Sequence, residues 1–358
     1  MSIGAAGAAS ALALSGCSRG TEAYEVAAAE LRAALDAEPA LADLVRYATL
    51  AANSHNTQPW RFALTQSQVA IAPDLTRRTP VVDPDDHHLW VSLGCAVENL
   101  LIAASARGRP GVAAFDASSE GRIVIDLGRG PADAGALFAA IPERQSTRSV
   151  YDGNPLTADE LRQLEAVAAV DGVSLQLITD ADAKAAVRDF VIAGNSAQIG
   201  DPAFVAELKL WIRFDVGHAL KTRDGLYSGC SGNPSMPAWI GNAIFPWVLN
   251  ADTVNDKYAA QIDSSAGIAV FTADAADPDH WVRVGRSLQR FALQATALGI
   301  RHAYVNQPVE VIDLRAEFAS WLGAPEARPD LVIRFGRAPA MPWSLRRRAD
   351  AVIGAPGP

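Results

Sequence analysis

Short stretches in which apolar and polar residues alternate predict the strands of this chain. Residues 60–64 and 69–72 alternate in this way on either side of a Thr-Gln-Ser-Gln turn, a pattern that is typical of a β-hairpin. Four further stretches of strand length lie at residues 122–127, 173–178, 266–271 and 331–335. The strands are therefore expected in two groups, one before residue 140 and one after it.

Apolar residues at helical spacing predict the helices. In the first group, helices are expected at residues 25–37 and 40–53. The nearly uninterrupted apolar stretch LWVSLGCAVENLLIAASARG, residues 89–108, predicts a buried helix that ends in glycine. In the second group, Thr157 and Glu160 form a capping-box pattern at the start of a helix over residues 157–169. Further helices are expected at 181–194, 202–213, 281–299 and 309–322.

The two groups of elements resemble each other. The apolar helix at residues 89–108 corresponds to WVRVGRSLQRFALQATALGI at 281–300, since each has an aromatic start, an internal glycine and a glycine near its end. We therefore predict an α+β fold of two fused units, residues 26–140 and 141–350. Each unit has a central, mostly antiparallel sheet flanked by helices, and the two units form an intrachain pseudo-dimer. A chance similarity of two buried helices is the alternative.

Residues 214–255 interrupt the second unit. They are rich in glycine, proline and aromatic residues and are expected to be irregular. A loop of this length inside a compact domain is usually functional or disordered, and its aromatic residues argue against disorder. We predict a lid over a site.

Composition narrows the class of protein. Of the 358 residues, 49% are hydrophobic and 20% are charged, which is typical of a globular chain with a substantial core. The formal net charge is −9, whereas non-specific nucleic-acid binding normally needs a basic surface. Nucleic acid is therefore not an expected partner.

The N-terminus has the character of an export signal. Residues 1–16 are small and apolar and carry no charge, and Leu-Ser-Gly-Cys at 14–17 is similar to a lipobox. This predicts a lipoprotein-type signal over 1–17, lipidation at Cys17, a tether at 18–25 and a protein anchored on the periplasmic or outer side of a membrane. The basic segment that usually precedes such a signal is missing. The alternative is an alanine-rich helix or tail of a cytoplasmic protein.

Three segments carry candidate chemistry. The first is SHNTQPW, where Ser54, Asn56 and Gln58 offer hydrogen-bonding groups and Pro59 fixes the backbone. This arrangement suits a planar polar heterocycle, although the amides could simply cap the preceding helix.

The second segment is RQSTR at residues 144–148. In an extended chain Arg144, Ser146 and Arg148 point the same way and could clamp a monophosphate. The third is the basic run SLRRR at residues 344–348, the densest positive cluster in an acidic protein. Taken alone, each of these two segments could equally be solvated surface.

The remaining candidates have simpler interpretations. His87 and His88 stand beside Asp83, Asp85 and Asp86, but neighbouring residues on one segment rarely ligate one ion well, so a solvated loop without a metal is expected. Cys95 is expected in the core, and Cys230 is expected to be an ordinary loop residue.

Together the three segments resemble the flavin-binding elements of the FMN-dependent nitroreductase family. The resemblance is to a twin-domain subgroup that includes dormancy-associated mycobacterial proteins, and it covers roughly residues 25–350. In family dimers one flavin takes these elements from different subunits, so the resemblance implies one complete and one decayed FMN site here, with no homodimer needed. The cofactor-binding residues that it implies are Ser54, His55, Asn56, Gln58, Arg144, Ser146, Arg148, Arg346 and Arg347.

The resemblance also implies a function. A reduced nicotinamide, NADH or NADPH, or another donor gives hydride to flavin N5, and a small aromatic, quinone or nitro acceptor takes it in a second step. No catalytic side chain is needed. Two alternatives stay open. One is an FMN-sequestering protein with a closed lid and little turnover. The other is a specialised flavoenzyme such as a reductive dehalogenase or a dehydrogenase.

Overall fold

A computed structural model describes residues 19–118 and 120–354. The predicted signal segment and Cys17 lie outside these ranges. Helix α1 spans residues 19–31, so the expectation that residues 19–25 form a tether is wrong. Tyr24 explains the difference, because its side chain is buried and its hydroxyl donates to the Trp343 carbonyl at 2.9 Å. Helix α1 is thereby fixed against the second unit.

The first sheet has five strands and lies mostly within the first unit. Its strands run in the order β11-β1-β2-β4-β3, and every pairing is antiparallel except that of β11 with β1. Their bounds are β1 Trp60–Leu64, β2 Gln68–Pro73, β3 Gly111–Asp116, β4 Arg122–Leu127 and β11 Ile353–Gly354. The predicted hairpin is confirmed, and the last strand returns the end of the chain to the first unit.

The second sheet has four strands, all antiparallel, in the order β5-β8-β10-β9. Their bounds are β5 Val173–Ile178, β8 Gly267–Ala273, β9 Arg301–Tyr304 and β10 Pro329–Gly336. A two-stranded parallel pair, β6 Ile212–Arg213 and β7 Leu226–Tyr227, lies apart from both sheets. The α+β fold class is confirmed.

Two long helices, one from each predicted unit, pack against each other in the core. They are α3 His87–Ser105 and α11 Pro278–Ala297. A Cβ at Gly94 would lie 2.1 Å from the Val282 carbonyl oxygen, and one at Gly285 would lie 2.0 Å from that of Val91. Gly94 and Gly285 are the internal glycines of the two apolar stretches that resemble each other. They are thus the points where α3 and α11 approach most closely. Whether the units form a pseudo-dimer stays a prediction.

The remaining helices surround the two sheets. Their bounds are α2 Leu41–Thr49, α4 Ala136–Ala140, α5 Ala158–Ala168, α6 Ala181–Gly200, α7 Pro202–Trp211, α8 Val216–Thr222, α9 Ala238–Val248, α10 Ala251–Asp263, α12 Gln307–Glu310, α13 Ile312–Trp321 and α14 Ala349–Val352. The capping box of α5 is confirmed, since Thr157 accepts from the backbone N–H of Glu160 at 3.2 Å.

Two expectations about helices are wrong. Residues 214–255 are mainly helical rather than irregular, because they contain α8, α9 and the start of α10, which Asn250 caps by accepting from the Asp252 and Thr253 N–H groups. The single helix expected at residues 309–322 is divided between α12 and α13, because Val311 has extended backbone angles.

Helix α3 has the length and composition of a membrane-spanning helix. Within the described ranges it is the one helix that passes this test, and 83% of its apolar window is buried inside the protein. Its sequence is therefore explained by its place in the core, where it contacts α2, α11 and the first sheet.

Candidate functional site

The SHNTQPW segment forms a strained turn. His55, Asn56 and Gln58 all have positive φ values, of 46°, 53° and 55°, a conformation that non-glycine residues seldom adopt. Hydrogen bonds hold the turn: the Gln58 N–H donates to Asn53 Oδ1 at 2.9 Å, and the Asn56 amide donates to the Gly225 carbonyl at 3.0 Å. Strain of this kind, maintained by surrounding contacts, is common at functional sites.

Arg346 braces this turn and the end of α2. Its guanidinium donates to the carbonyls of Thr49 at 2.8 Å and Ala51 at 3.1 Å, and to Asn56 Oδ1 at 2.8 Å. The basic run therefore does not form a solvated tail. Arg346 is buried and also lines the cleft that is described below.

Hydrogen bonds join Arg347 to Gln58. The Arg347 N–H donates to Gln58 Oε1 at 2.7 Å, and the Arg347 guanidinium donates to the Gln58 carbonyl at 2.7 Å. The sequence placed both residues among the cofactor ligands. In the described part of the chain, however, neither side chain lines the cleft or the larger cavity. Their contacts instead fix the turn to the C-terminal segment.

A small cleft of about 50 Å³ gathers positive charge next to the turn. Arg144, Ser146 and Arg148 all line it, as the alternating spacing predicted. The lining also includes Arg32, Asn56, Ser344 and Arg346, and among its described residues there is no carboxylate. The cleft is therefore suited to an anion.

Arg144 and Arg32 have donors left over for such an anion. The Arg144 guanidinium donates one hydrogen bond, to the Leu50 carbonyl at 2.9 Å, and its buried Nε and Nη1 have no partner in the described structure. The Arg32 Nε is also buried and without a hydrogen-bond partner there. Burial, and then the charges of Arg144 and Arg32, lower the pKa of Arg346 to about 9. A bound anion would relieve this repulsion and take the unused donors.

A larger cavity of about 240 Å³ adjoins the cleft. Arg148 lines both spaces, and so do Asn53 and Leu226. The Arg148 guanidinium has no hydrogen-bond or ion-pair partner among the described residues. The lining of the larger cavity combines polar and aliphatic side chains, including Ser54, His55, His88, Ser92, Tyr304, Glu310, Leu226, Leu249 and Val254.

His55 faces this cavity as a neutral ring. Burial, and then the positive charge of Arg148 and the neighbouring His88, lower its pKa to about 4. Its Nδ1 lies 3.2 Å from Ser54 Oγ. The two side chains therefore offer a paired donor and acceptor at neutral pH, a combination that suits a heterocycle with both kinds of group on its edge.

His87 and His88 are buried, so the expectation of a solvated loop is wrong. Both begin α3, where the Asp83 carboxylate accepts from the backbone N–H groups of His88 and Leu89 at 3.0 Å each. The His87 Nε2 lies 2.9 Å from an oxygen of Asp330. Asp83, His87 and His88 could approach a metal ion together. The Asp83 carboxylate is already engaged as a helix cap, whereas the buried His87 Nε2 lies beside Asp330 without a hydrogen bond of good geometry.

Both cysteines of the described chain are buried. Cys95 is a core residue, as expected, and it also lines the larger cavity. Cys230 is buried as well, with Sγ 3.3 Å from the Tyr24 hydroxyl, and burial raises the pKa of its thiol. Cys230 also lines the cleft, whereas the sequence predicted only an ordinary loop residue.

No family model matches the chain. Curated relatives do. The chain is 26% identical over 325 residues to "Putative NAD(P)H nitroreductase Rv3131" of Mycobacterium tuberculosis, which covers 86% of this chain and 89% of the relative. It is also 26% identical over 321 residues to "Putative NAD(P)H nitroreductase acg" of the same species, covering 86% and 93%. The predicted resemblance to nitroreductases is confirmed.

Solved structures give partial likenesses. The FMN-dependent nitroreductase NfnB from Mycobacterium smegmatis, solved with NADPH, is 13% identical with a TM-score of 0.37 and covers 57% of this chain and 87% of that one. The NADPH:FMN oxidoreductase from Vibrio harveyi, solved with NAD⁺, is 15% identical with a TM-score of 0.36 and covers 60% and 73%.

Proposed function

We propose that this chain is an FMN-dependent oxidoreductase of the nitroreductase type. The observation that carries the proposal is the connection at Arg148 between a cationic cleft and a half-polar cavity. A phosphate monoester fits the first space and a planar heterocycle fits the second. The names of the mycobacterial relatives support a reduced nicotinamide as the electron donor.

The residues present fit FMN at both ends. The unpartnered donors of Arg144 and Arg32, together with Arg148 and Ser146, would hold the phosphate. Asn53, Ser54 and His55 would contact the ring system from the strained turn. When bound, FMN would supply the redox chemistry by which a reduced nicotinamide reduces a small aromatic, quinone or nitro acceptor. The protein contributes the position of the ring, its electrostatics and the exclusion of water.

The proposed site draws on both predicted units. The turn comes from residues 26–140 and the arginine cluster from residues 141–350, which supports the proposal of one complete FMN site between two related halves. Arg148 and the turn approach each other within one chain, so no second subunit is required to bring these groups together. Export and anchoring through Cys17 remain part of the proposal and rest on the sequence alone.

One contact favours the FMN-sequestering alternative. Three hydrogen bonds tie the predicted lid to the turn. The Gly225 N–H donates to the Asn56 carbonyl at 3.1 Å, the Asn56 amide to the Gly225 carbonyl at 3.0 Å, and the Gln58 amide to the Arg223 carbonyl at 2.8 Å. Leu226, Leu249 and Val254 of the same segment line the larger cavity. A lid held this way would restrict the access of a donor or an acceptor to the ring.

Anaerobic stopped-flow spectroscopy distinguishes the two functions. The flavin-loaded protein is mixed first with NADPH, then with a water-soluble quinone or nitroarene. We expect bleaching of the flavin band by NADPH and its recovery with the acceptor. Reduction by dithionite alone, with slow recovery, would instead support sequestration. A protein that binds no FMN would overturn the proposal.

A further inference from the structure

Helix α9 presents an apolar face to solvent. The exposed fractions of Trp239 and Trp247 are 75% and 84%, and that of Val248 is 59%. Trp239, Ala243 and Trp247 are spaced four residues apart, so they share one face of the helix. Two exposed indoles on one helix face are unusual for a surface that contacts only water.

The composition of the segment makes this face more distinctive. No charged side chain occurs from residue 225 to residue 251. The amide of Asn242, a polar side chain on the exposed face, donates to the Ala238 carbonyl of its own helix at 2.8 Å. An aqueous surface helix normally alternates charged and apolar faces. Here the outer face carries aromatic and small residues without ionic groups.

The opposite face of α9 is anchored in the protein. Phe245 is buried, and its ring lies 6.0 Å from that of Phe214. A Cβ at Gly241 would lie 2.3 Å from the Phe214 ring, so the helix backbone rests directly on that side chain. The exposed indoles are therefore held on a packed helix.

The N-terminus enters the structure beside this segment. A Cβ at Gly20 would lie 2.8 Å from Val216 Cγ1, and Val216 follows two residues after the Phe214 that supports α9. Cys17 is three residues before Gly20, a distance that an extended chain covers in at most about 11 Å. The described chain therefore begins next to the segment that supports α9, and the predicted lipidation site precedes Gly20 by three residues.

The size of the face favours a shallow contact. Two indoles at these exposures offer roughly 400 Å² of apolar surface, which is about half of what one partner contributes to a standard protein interface. Tryptophan, like tyrosine, is enriched where a bilayer meets water, because its ring is apolar and its N–H can still be hydrated. A membrane interface needs only this limited insertion.

We propose that α9 docks on a lipid bilayer through Trp239 and Trp247, on the side where the N-terminal segment meets the membrane. The docking surface consists of Trp239, Trp247 and Val248. This inference does not depend on FMN binding. It depends on the exposed helix face and on the position of Gly20.

Vesicle sedimentation tests the proposal with the full chain carrying Cys17→Ser, which prevents acylation while keeping residues 1–16. Vesicles contain phosphatidylcholine and phosphatidylglycerol at a 3:1 ratio. We expect the double variant Trp239→Ser/Trp247→Ser to bind at least tenfold more weakly than its parent. The matched control, Val112→Ser/Val150→Ser, removes two exposed apolar side chains elsewhere and should bind like the parent.

Three outcomes would overturn the proposal. The parent and the double variant could bind vesicles equally, which would assign any membrane affinity to residues 1–16. The parent could fail to bind. Light scattering could show that the parent is a dimer and the double variant a monomer, in which case the face contacts a second copy. Because both indoles lie on the surface, we expect the double variant to unfold at the same temperature as its parent. A difference in vesicle binding would then not be due to misfolding.

Discussion

Replacing Arg148 with alanine tests the placement of the cofactor most cleanly. Its guanidinium has no hydrogen-bond or ion-pair partner among the described residues, and it lines both the cationic cleft and the larger cavity. Arg144→Ala, by contrast, would also remove the bond to the Leu50 carbonyl. The Arg148 substitution therefore changes ligand binding with little direct cost to the fold.

The size of the expected effect follows from the type of contact. A hydrogen bond that involves a charged group contributes about 1.5–3 kcal/mol. Since each 1.4 kcal/mol is a factor of ten in affinity, the FMN dissociation constant should rise roughly 10- to 150-fold. Arg144→Ala/Arg148→Ala should lose FMN during purification, although the two effects need not add because both residues face one anion.

Fluorescence titration of apoprotein with FMN gives the dissociation constants. Arg162→Ala is the matched control, because Arg162 is two-thirds exposed and, within the described ranges, pairs only with Asp159 on the surface of α5. The control should bind FMN as the parent does. If Arg148→Ala bound FMN within twofold of the parent, the phosphate would lie elsewhere and the assignment of the cleft would be wrong.

Three further predictions concern stability. Gly94→Ala should cost about 3 kcal/mol or more, because its Cβ would lie 2.1 Å from a backbone oxygen. Glu98→Ala should cost about 1–3 kcal/mol, because the buried carboxylate bonds Arg286 and Arg290 of α11 at 2.8 Å each, and the partial exposure of both arginines reduces the loss. His302→Gln should flatten the dependence of stability on pH between 6.5 and about 3. Urea unfolding measures all three.

The pH prediction has a definite sign. Burial, then the charges of Arg144, Arg301 and Arg334, lower the pKa of His302 from 6.5 to about 3. Above pH 6.5 the ring is neutral in both the folded and the unfolded protein, so it adds no pH dependence to the free energy of unfolding. Below it the unfolded chain takes up the proton first, so stability falls by up to about 1.4 kcal/mol per pH unit. An unchanged slope in the variant would contradict the buried, neutral ring.

The helix-packing predictions have their own checks. Gly200→Ala is the control for Gly94, since no atom lies within 4 Å of the added Cβ. It should be neutral or slightly stabilising. A stable Gly94→Ala protein would mean that α3 and α11 can separate at little cost. If Glu98→Ala lowered the free energy of unfolding by less than about 0.5 kcal/mol, water would replace the Glu98 carboxylate as the hydrogen-bond partner of Arg286 and Arg290 at little cost.

The strands with regular alternation could be predicted from the sequence. The structure places β1, β2, β4, β5, β8 and β10 close to the predicted positions. The first four are more deeply buried on one face, which leaves a period of two in their residues, whereas β8 and β10 are buried on both faces and are recognised as short apolar runs. Strand β3 follows an Arg-Pro step and β9 has only four residues, so neither carried a sufficient pattern. The helix α9 contains Pro246, which made its sequence resemble a loop.

The site was only partly predictable, for a different reason. The clustering of Arg144, Ser146 and Arg148 follows from their local spacing. Arg32 lies at the end of α1 and reaches the cleft only through the packing of that helix, so no neighbouring residue signals it. Arg347 has the same local sequence pattern as Arg346. Its hydrogen bonds, however, go to Gln58, a residue that is remote in sequence.

The central claim is that one flavin mononucleotide binds between the strained turn and the arginine cluster. The most direct test is the visible absorbance spectrum of the purified protein, followed by mass spectrometry of the chromophore released by acid. We expect a flavin spectrum, FMN as the released species and about one FMN per chain after loading. A colourless protein that leaves the fluorescence of added FMN unchanged would contradict the claim.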